Sequence, residues 1–294
     1  GVYNTGGNFM FSGGEISDNT ATGNGGGVYN ESGDFTFSGG SISDNNATKG
    51  GGVYNTGASA FFTMSGGSII SGNTATDGYG GGVCNNSSGT FTFSGGSISD
   101  DNTALYGGGV YNYEGTFAMS GAASISGNTA GYGGGVLSSD GTFMFSGGSI
   151  SGNTATNGNG GGVYNRGTFT FSDGSISSNT AHCGGGVYND GTFNLSGSAS
   201  ISKNNASDGD DGDDGFGGGV YNRATFTMSD AASISDNGAI YYGGGVYNFG
   251  TNAFFTMSGG YISKNTATLG GAVYNINGAV FNRPGGSISG NIFD

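Results

Sequence analysis

Tryptophan is absent from this 294-residue chain, proline and histidine occur once each, and cysteine occurs twice. A single proline excludes a collagen-like triple helix, which combines strict glycine triplets with abundant proline. Six Lys and Arg stand against twenty Asp and Glu, for a formal net charge of −14. So few cations cannot make the basic footprint that a nucleic acid requires, and they disfavour an anionic membrane surface. No apolar run approaches the roughly 18 residues that span a bilayer, so no membrane insertion is expected in this segment. The opening Gly1-Val2-Tyr3-Asn4 has neither a basic nor an apolar leader character, which places any export signal or anchor outside the sequence. Leu, Ile, Val and Phe together make only about 18% of the chain, below the level of ordinary globular domains.

What is present in excess is glycine, at 70 residues or about 24%. Alone, that suggests disorder. Yet only 9% of residues are charged, and 21 Phe with 16 Tyr is rich in aromatics for a disordered chain.

An internal repeat resolves the conflict. Gly-Gly-Gly-Val-Tyr-Asn, or a close variant, recurs with its valine at Val2, Val28, Val53, Val83, Val110, Val136, Val163, Val187, Val220, Val246 and Val273, about 27 residues apart on average. Each is followed by a Thr-Phe-Thr-Phe-Ser-like run, such as Thr90 to Ser94, and then by Ser-Ile-Ser-x-Asn-Thr-Ala, as at Ser149 to Ala155. These are three short β-prone runs per period, parted by Gly, Asn and Ser, with no helical spacing. The pattern predicts an all-β fold: a right-handed parallel β-helix of about eleven three-strand coils, one domain over residues 1–294. Stacked about 4.8 Å apart, the coils make a rod on the order of 50 Å long. A propeller repeat needs about 40–45 residues and four strands, and leucine-rich repeats need more than four leucines. Without visible caps, the rod reads as a piece of a longer array.

Strand alternation assigns inside and outside. Valine and asparagine of the first run point in, as do paired phenylalanines such as Phe91 and Phe93 and isoleucines such as Ile98 and Ile150. Two columns of asparagine are expected to hydrogen-bond from coil to coil: one from Asn4 to Asn275, the other from Asn19 to Asn291. Glycines fall at the corners. Length varies there too, with intervals of 30 residues from Val53 to Val83 and 33 from Val187 to Val220.

The few charges read as partners on neighbouring coils. Arg166, Asp190 and Arg223 share one position, and Lys203, Asp236 and Lys264 share another, each adjacent pair worth roughly 0.2–1 kcal/mol. No acidic pair with a spare cation forms the cluster that polysaccharide-cleaving β-helices need, so catalysis is not expected. His182 and Cys183 are sequence neighbours in a corner, and Cys84 lies about four coils, near 19 Å, from Cys183, beyond disulfide reach.

Three surfaces remain as candidates. The outward position of the first run holds Tyr29, Tyr54, Tyr111, Tyr164, Tyr188, Tyr221, Tyr247 and Tyr274, besides Tyr3, and is interrupted by Cys84 and Leu137. Such an exposed aromatic stripe suits sugar stacking, contact with a host or cell-surface glycan or protein, or lateral self-association, and equally plain strand-to-strand packing. Outward Thr-x-Thr pairs, Thr90/Thr92, Thr168/Thr170 and Thr225/Thr227, resemble ice-binding faces, although Phe61, Ala118, Met144, Asn194 and Phe254 interrupt them. No cofactor is expected beyond Ca²⁺, for which Asp208, Asp210, Asp211, Asp213 and Asp214 in the 33-residue interval offer oxygen ligands.

The Gly-Gly-Gly-Val segments (Gly-Gly-Ala-Val at Gly270 to Val273) followed by Ile-x-x-Asn are similar to the repeats of bacterial surface β-helix proteins. Among these are the polymorphic outer-membrane adhesins of chlamydiae, whose signature has Phe-x-x-Asn where this chain has, for example, Ile150 to Asn153. Adhesin-like repeat proteins of anaerobic gut bacteria and methanogens are resembled over essentially the whole chain. The resemblance implies an extracellular or cell-surface, non-catalytic adhesin or fibre-shaft rod. An ice-binding protein and a polysaccharide-active enzyme are the alternatives.

Overall fold

The computed structural model describes residues 1–207 and 215–293. They form a parallel β-solenoid without a helix, its strands gathered in three sheets of 11, 20 and 10 strands. Every pairing between strands is parallel and joins equivalent residues of successive coils, as in Val110 with Val136 and Phe117 with Phe143. The valine run makes the first sheet. The second sheet takes two strands from each coil, the phenylalanine run and Ser-Ile-Ser, which fuse into single strands at Thr142–Ser151 and Thr168–Ser177. The third sheet begins after the asparagine, at strands such as Thr129–Tyr132. The expected third run is therefore split in two. Its asparagine marks a corner, because the residue before it takes a left-handed conformation, as at Asp44 (φ 56°) and Lys203 (φ 57°).

The interior is one continuous cluster of Val, Phe, Met and Ile columns. Rings stack along the axis: Phe143 and Phe169 have centroids 4.7 Å apart at 5°. Each such pair adds about 0.5–1.5 kcal/mol beyond its burial.

Both asparagine columns form as hydrogen-bonded ladders. In the second, Nδ2 of each residue donates to Oδ1 in the next coil, without a break from Asn19 to Asn291. The first ladder runs the same way and also closes the corner, since Asn112 Nδ2 donates to the Gly115 carbonyl at 3.1 Å. Serine stands in it at position 138, where Asn112 reaches Oγ at 3.3 Å. Among the described residues no buried side-chain nitrogen or oxygen lacks a partner.

Glycine precedes every repeat valine except Val273, which follows Ala272 in the last coil, and geometry favours glycine at that position. In Gly107-Gly108-Gly109 the first residue has φ +67°. A Cβ on the third would lie 2.7 Å from the Gly135 carbonyl oxygen and 2.8 Å from Ile125 Cγ2. This corner turns the chain back over the outer face of the first sheet.

Candidate binding groove

The residue just before each glycine triplet decides what covers that outer face. Aligned from coil to coil, this position holds Asn24, Lys49, Tyr79, Tyr106, Tyr132, Asn159, Cys183, Phe216, Tyr242 and Leu269, paired by ladder or bridge contacts along most of its length. The left-handed glycine throws its side chain across the outward tyrosine column. Tyr79, Tyr106 and Tyr132 stack at 5.2 and 5.6 Å, Tyr79 meets Tyr111 edge-on at 5.0 Å, and Lys49 Nζ lies 5.0 Å from the Tyr79 ring centroid.

The stripe expected to be exposed is therefore largely covered. Tyr54, Tyr188, Tyr221 and Tyr247 are buried, while Tyr29, Tyr111, Tyr164 and Tyr274 are half-buried. Two contacts cover them. Rings one coil apart shield each other's faces, as in Tyr188–Tyr221 at 4.7 Å. The pre-glycine column adds a second layer: Phe216 stacks on Tyr247 at 5.2 Å and Tyr242 on Tyr274 at 4.7 Å, making a small apolar cluster outside the main core. Burial pushes the Tyr54, Tyr188 and Tyr247 phenols up to about 12, and raises Tyr111, Tyr164 and Tyr221 as well.

Between the two columns a groove stays open in the middle coils. It widens where the tyrosine column is interrupted. One bay of about 280 Å³ has Cys84 at its floor and Lys49, Tyr79, Asn86, Tyr111 and Tyr113 around it. A second, of about 290 Å³, has Leu137 at its floor and shares Tyr79 and Tyr111 with the first. Tyr106, Tyr132, Tyr164, Ser139 and Arg166 complete it. The Cys84 thiol is pushed up to about 12 by burial, so it is neutral and adds no charge to its bay.

The remaining charges sit beside the groove. Arg223 Nε lies 3.7 Å from Asp190 Oδ1, Arg223 Nη1 donates to Tyr188 OH at 3.1 Å, and Tyr164 OH donates to Asp190 at 3.1 Å. Asp190 and Arg223 thus tie into the tyrosines, whereas Arg166, expected to pair with Asp190, forms no ion pair within 4.0 Å among the described residues. Among the described residues, Lys203, Asp236 and Lys264 form no ion pair within 4.0 Å; each occupies a left-handed corner, with φ of 57°, 56° and 57°. Cys84 and Cys183 are both buried, and Cys84 is a free thiol.

Elsewhere the threonine pairs lie on the second sheet as expected. The apolar interruptions protrude from it, with Phe61, Met144 and Phe254 each more than two-fifths exposed. The expected Ca²⁺ ligands Asp208, Asp210, Asp211, Asp213 and Asp214 lie outside the described residues. Among the described residues no three His, Cys, Asp or Glu gather as a metal site.

Residues 14–31, which join an Ile-x-x-Asn corner to the following Gly-Gly-Gly-Val, match the repeat of the Chlamydia polymorphic membrane proteins. The chain is similar to that repeat family. The match spans the asparagine corner, the glycine corner and the first strand that follows, and the solenoid repeats this segment along its length, so the likeness is to a distant parallel β-helix repeat protein of polymorphic-membrane-protein type. No curated protein and no solved structure matches the chain.

Proposed function

We propose that this chain is a cell-surface, extracellular adhesin-like rod that binds its ligand in the tyrosine-walled groove and does not transform it. The single observation that carries the reading is the position of the two bays. They open in the middle coils where Cys84 and Leu137 replace tyrosine, between the stacked rings of the two columns. A purely structural stripe has no use for such gaps, whereas a ligand needs concave space lined by rings and a few polar groups. The polymorphic membrane protein repeat supports a surface-associated, adhesin-like role. Support for the non-catalytic part comes from the lining: each bay has one cation and no carboxylate, so neither holds the acid–base pair that glycan cleavage requires.

The test is to fill both bays with the residue that most coils carry. A Cys84→Tyr/Leu137→Tyr rod is expected to keep its fold and lose binding to cells and to surface-glycan arrays. Thr168→Ala, on the second sheet, is expected to bind as the parent does. Equal binding by the filled rod would refute the groove.

A further inference from the structure

We infer that the groove takes a linear acidic glycan with a disaccharide repeat, lying along the rod axis; this rests on the groove being the binding surface proposed above.

Charge gives the first reason. The chain has six cations and twenty acidic residues, yet each bay is lined by one cation, Lys49 or Arg166, and by no carboxylate. Glu114, Asp140 and Asp190 stand at the rim rather than in the lining, where they accept hydrogen bonds from Tyr113, Ser139 and Tyr164. Arg223 is occupied by Asp190 and Tyr188. Among the described residues Lys49 and Arg166 have no carboxylate within 4.0 Å, so each bay holds one cation open to a ligand that carries negative charge.

Spacing gives the second reason. Cys84 and Leu137 lie two coils apart, with Tyr111 between them in register. Two coil rises come to about 10 Å. A hexopyranose in an extended β-linked chain is about one coil rise long, so alternate sugars of such a chain fall into successive bays and the sugar between them crosses the Tyr111 ridge. An extended peptide does not fit this spacing. At about 3.3 Å per residue, side chains about 10 Å apart are three residues apart and point to opposite faces. Tyrosine hydroxyls, the Asn86 amide and the Ser139 hydroxyl supply hydrogen-bonding groups for a polyhydroxylated ligand.

The experiment uses the full chain and isothermal titration with an octasaccharide of alternating β-linked glucuronate and N-acetylglucosamine. The same octasaccharide with its carboxylates reduced to alcohols, and an Asp/Glu-rich extended peptide, serve as comparisons. The acidic octasaccharide is expected to bind, the reduced form about tenfold more weakly. Lys49→Gln and Arg166→Gln are each expected to weaken the acidic form severalfold and to flatten its salt dependence, and Arg166→Lys to restore part of the loss. Equal binding of the acidic and reduced forms overturns the acidic assignment, and preferential binding of the peptide overturns the glycan assignment. No binding of either octasaccharide overturns the inference. If filling the bays still abolishes cell binding in that case, the groove itself stands; if filled rods bind cells normally, the functional reading fails too.

Discussion

Replacing Asn153 with alanine removes four hydrogen bonds from a side chain that has no exposed surface. Its Nδ2 donates to the Ile125 carbonyl at 3.1 Å and to Asn179 Oδ1 at 3.0 Å. Its Oδ1 accepts from the Asn128 backbone N–H and from Asn128 Nδ2, both at 3.0 Å. Alanine leaves two donors on Asn128 stranded inside the rod. Each costs about 1–3 kcal/mol, so the loss comes to about 2–6 kcal/mol. That is large beside the roughly 5–15 kcal/mol by which typical domains are stable. The damage falls at one junction between coils, and in a solenoid each coil is held chiefly by its neighbours. Urea unfolding followed by far-ultraviolet circular dichroism is therefore expected to show a lower midpoint and a shallower transition, as the two halves uncouple. Asn153→Ser, which keeps one polar atom, should fall between. A change below about 0.5 kcal/mol, the range of an ordinary surface substitution, would refute the ladder as a source of stability.

The converse change, Ser138→Asn, restores a missing rung in the first ladder and should raise stability by about 0.5–1.5 kcal/mol in the same assay. Gly109→Ala drives a Cβ to 2.7 Å from a carbonyl oxygen and should cost about 1–3 kcal/mol in thermal melts, whereas Gly13→Ala, with nothing within 4 Å, should stay within about 0.5 kcal/mol. Tyr54, Tyr188 and Tyr247 ionise near 12 in the fold against about 10 when unfolded, so the folded state holds more protons in that interval. Their contribution is whole below pH of about 10 and is lost as pH rises through about 12; alkaline unfolding should coincide with tyrosinate absorbance, and tyrosinate appearing well before unfolding would contradict the burial. Cys84 should resist alkylation at neutral pH until the chain is denatured, as its buried thiol has almost no thiolate.

The scaffold was legible in the sequence because its signals are local and repeated. Valine, phenylalanine, isoleucine and the two asparagines recur at fixed offsets, and strand alternation alone places them inside. The tyrosine column was legible in position but not in environment. Its cover comes from Tyr79, Tyr106, Tyr132, Phe216 and Tyr242, which precede the glycine triplet in the stretch of variable length. Aligned on isoleucine or phenylalanine these residues scatter; aligned on the triplet they form one column. That the left-handed glycine folds this column over the first sheet is a consequence of backbone conformation, which residue spacing does not express. The fourth strand was hidden similarly, because Thr-Ala continues the polar run of Ser-Ile-Ser without a change of composition.

The asparagine ladders give the rod an electrical sense. Ten consecutive links of the second column point their N–H groups toward the C-terminal coils and their oxygens toward the N-terminal ones. If each side-chain amide carries about the 3.5 D of a peptide unit, that column alone sums to about 35 D, and the first column adds to it in the same direction. Unlike an α-helix, the solenoid gains this polarity from side chains, so a point substitution in the column interrupts it at the same junction where it weakens the rod. Rods lying side by side would favour opposite orientations, and rods stacked end to end would favour the same one.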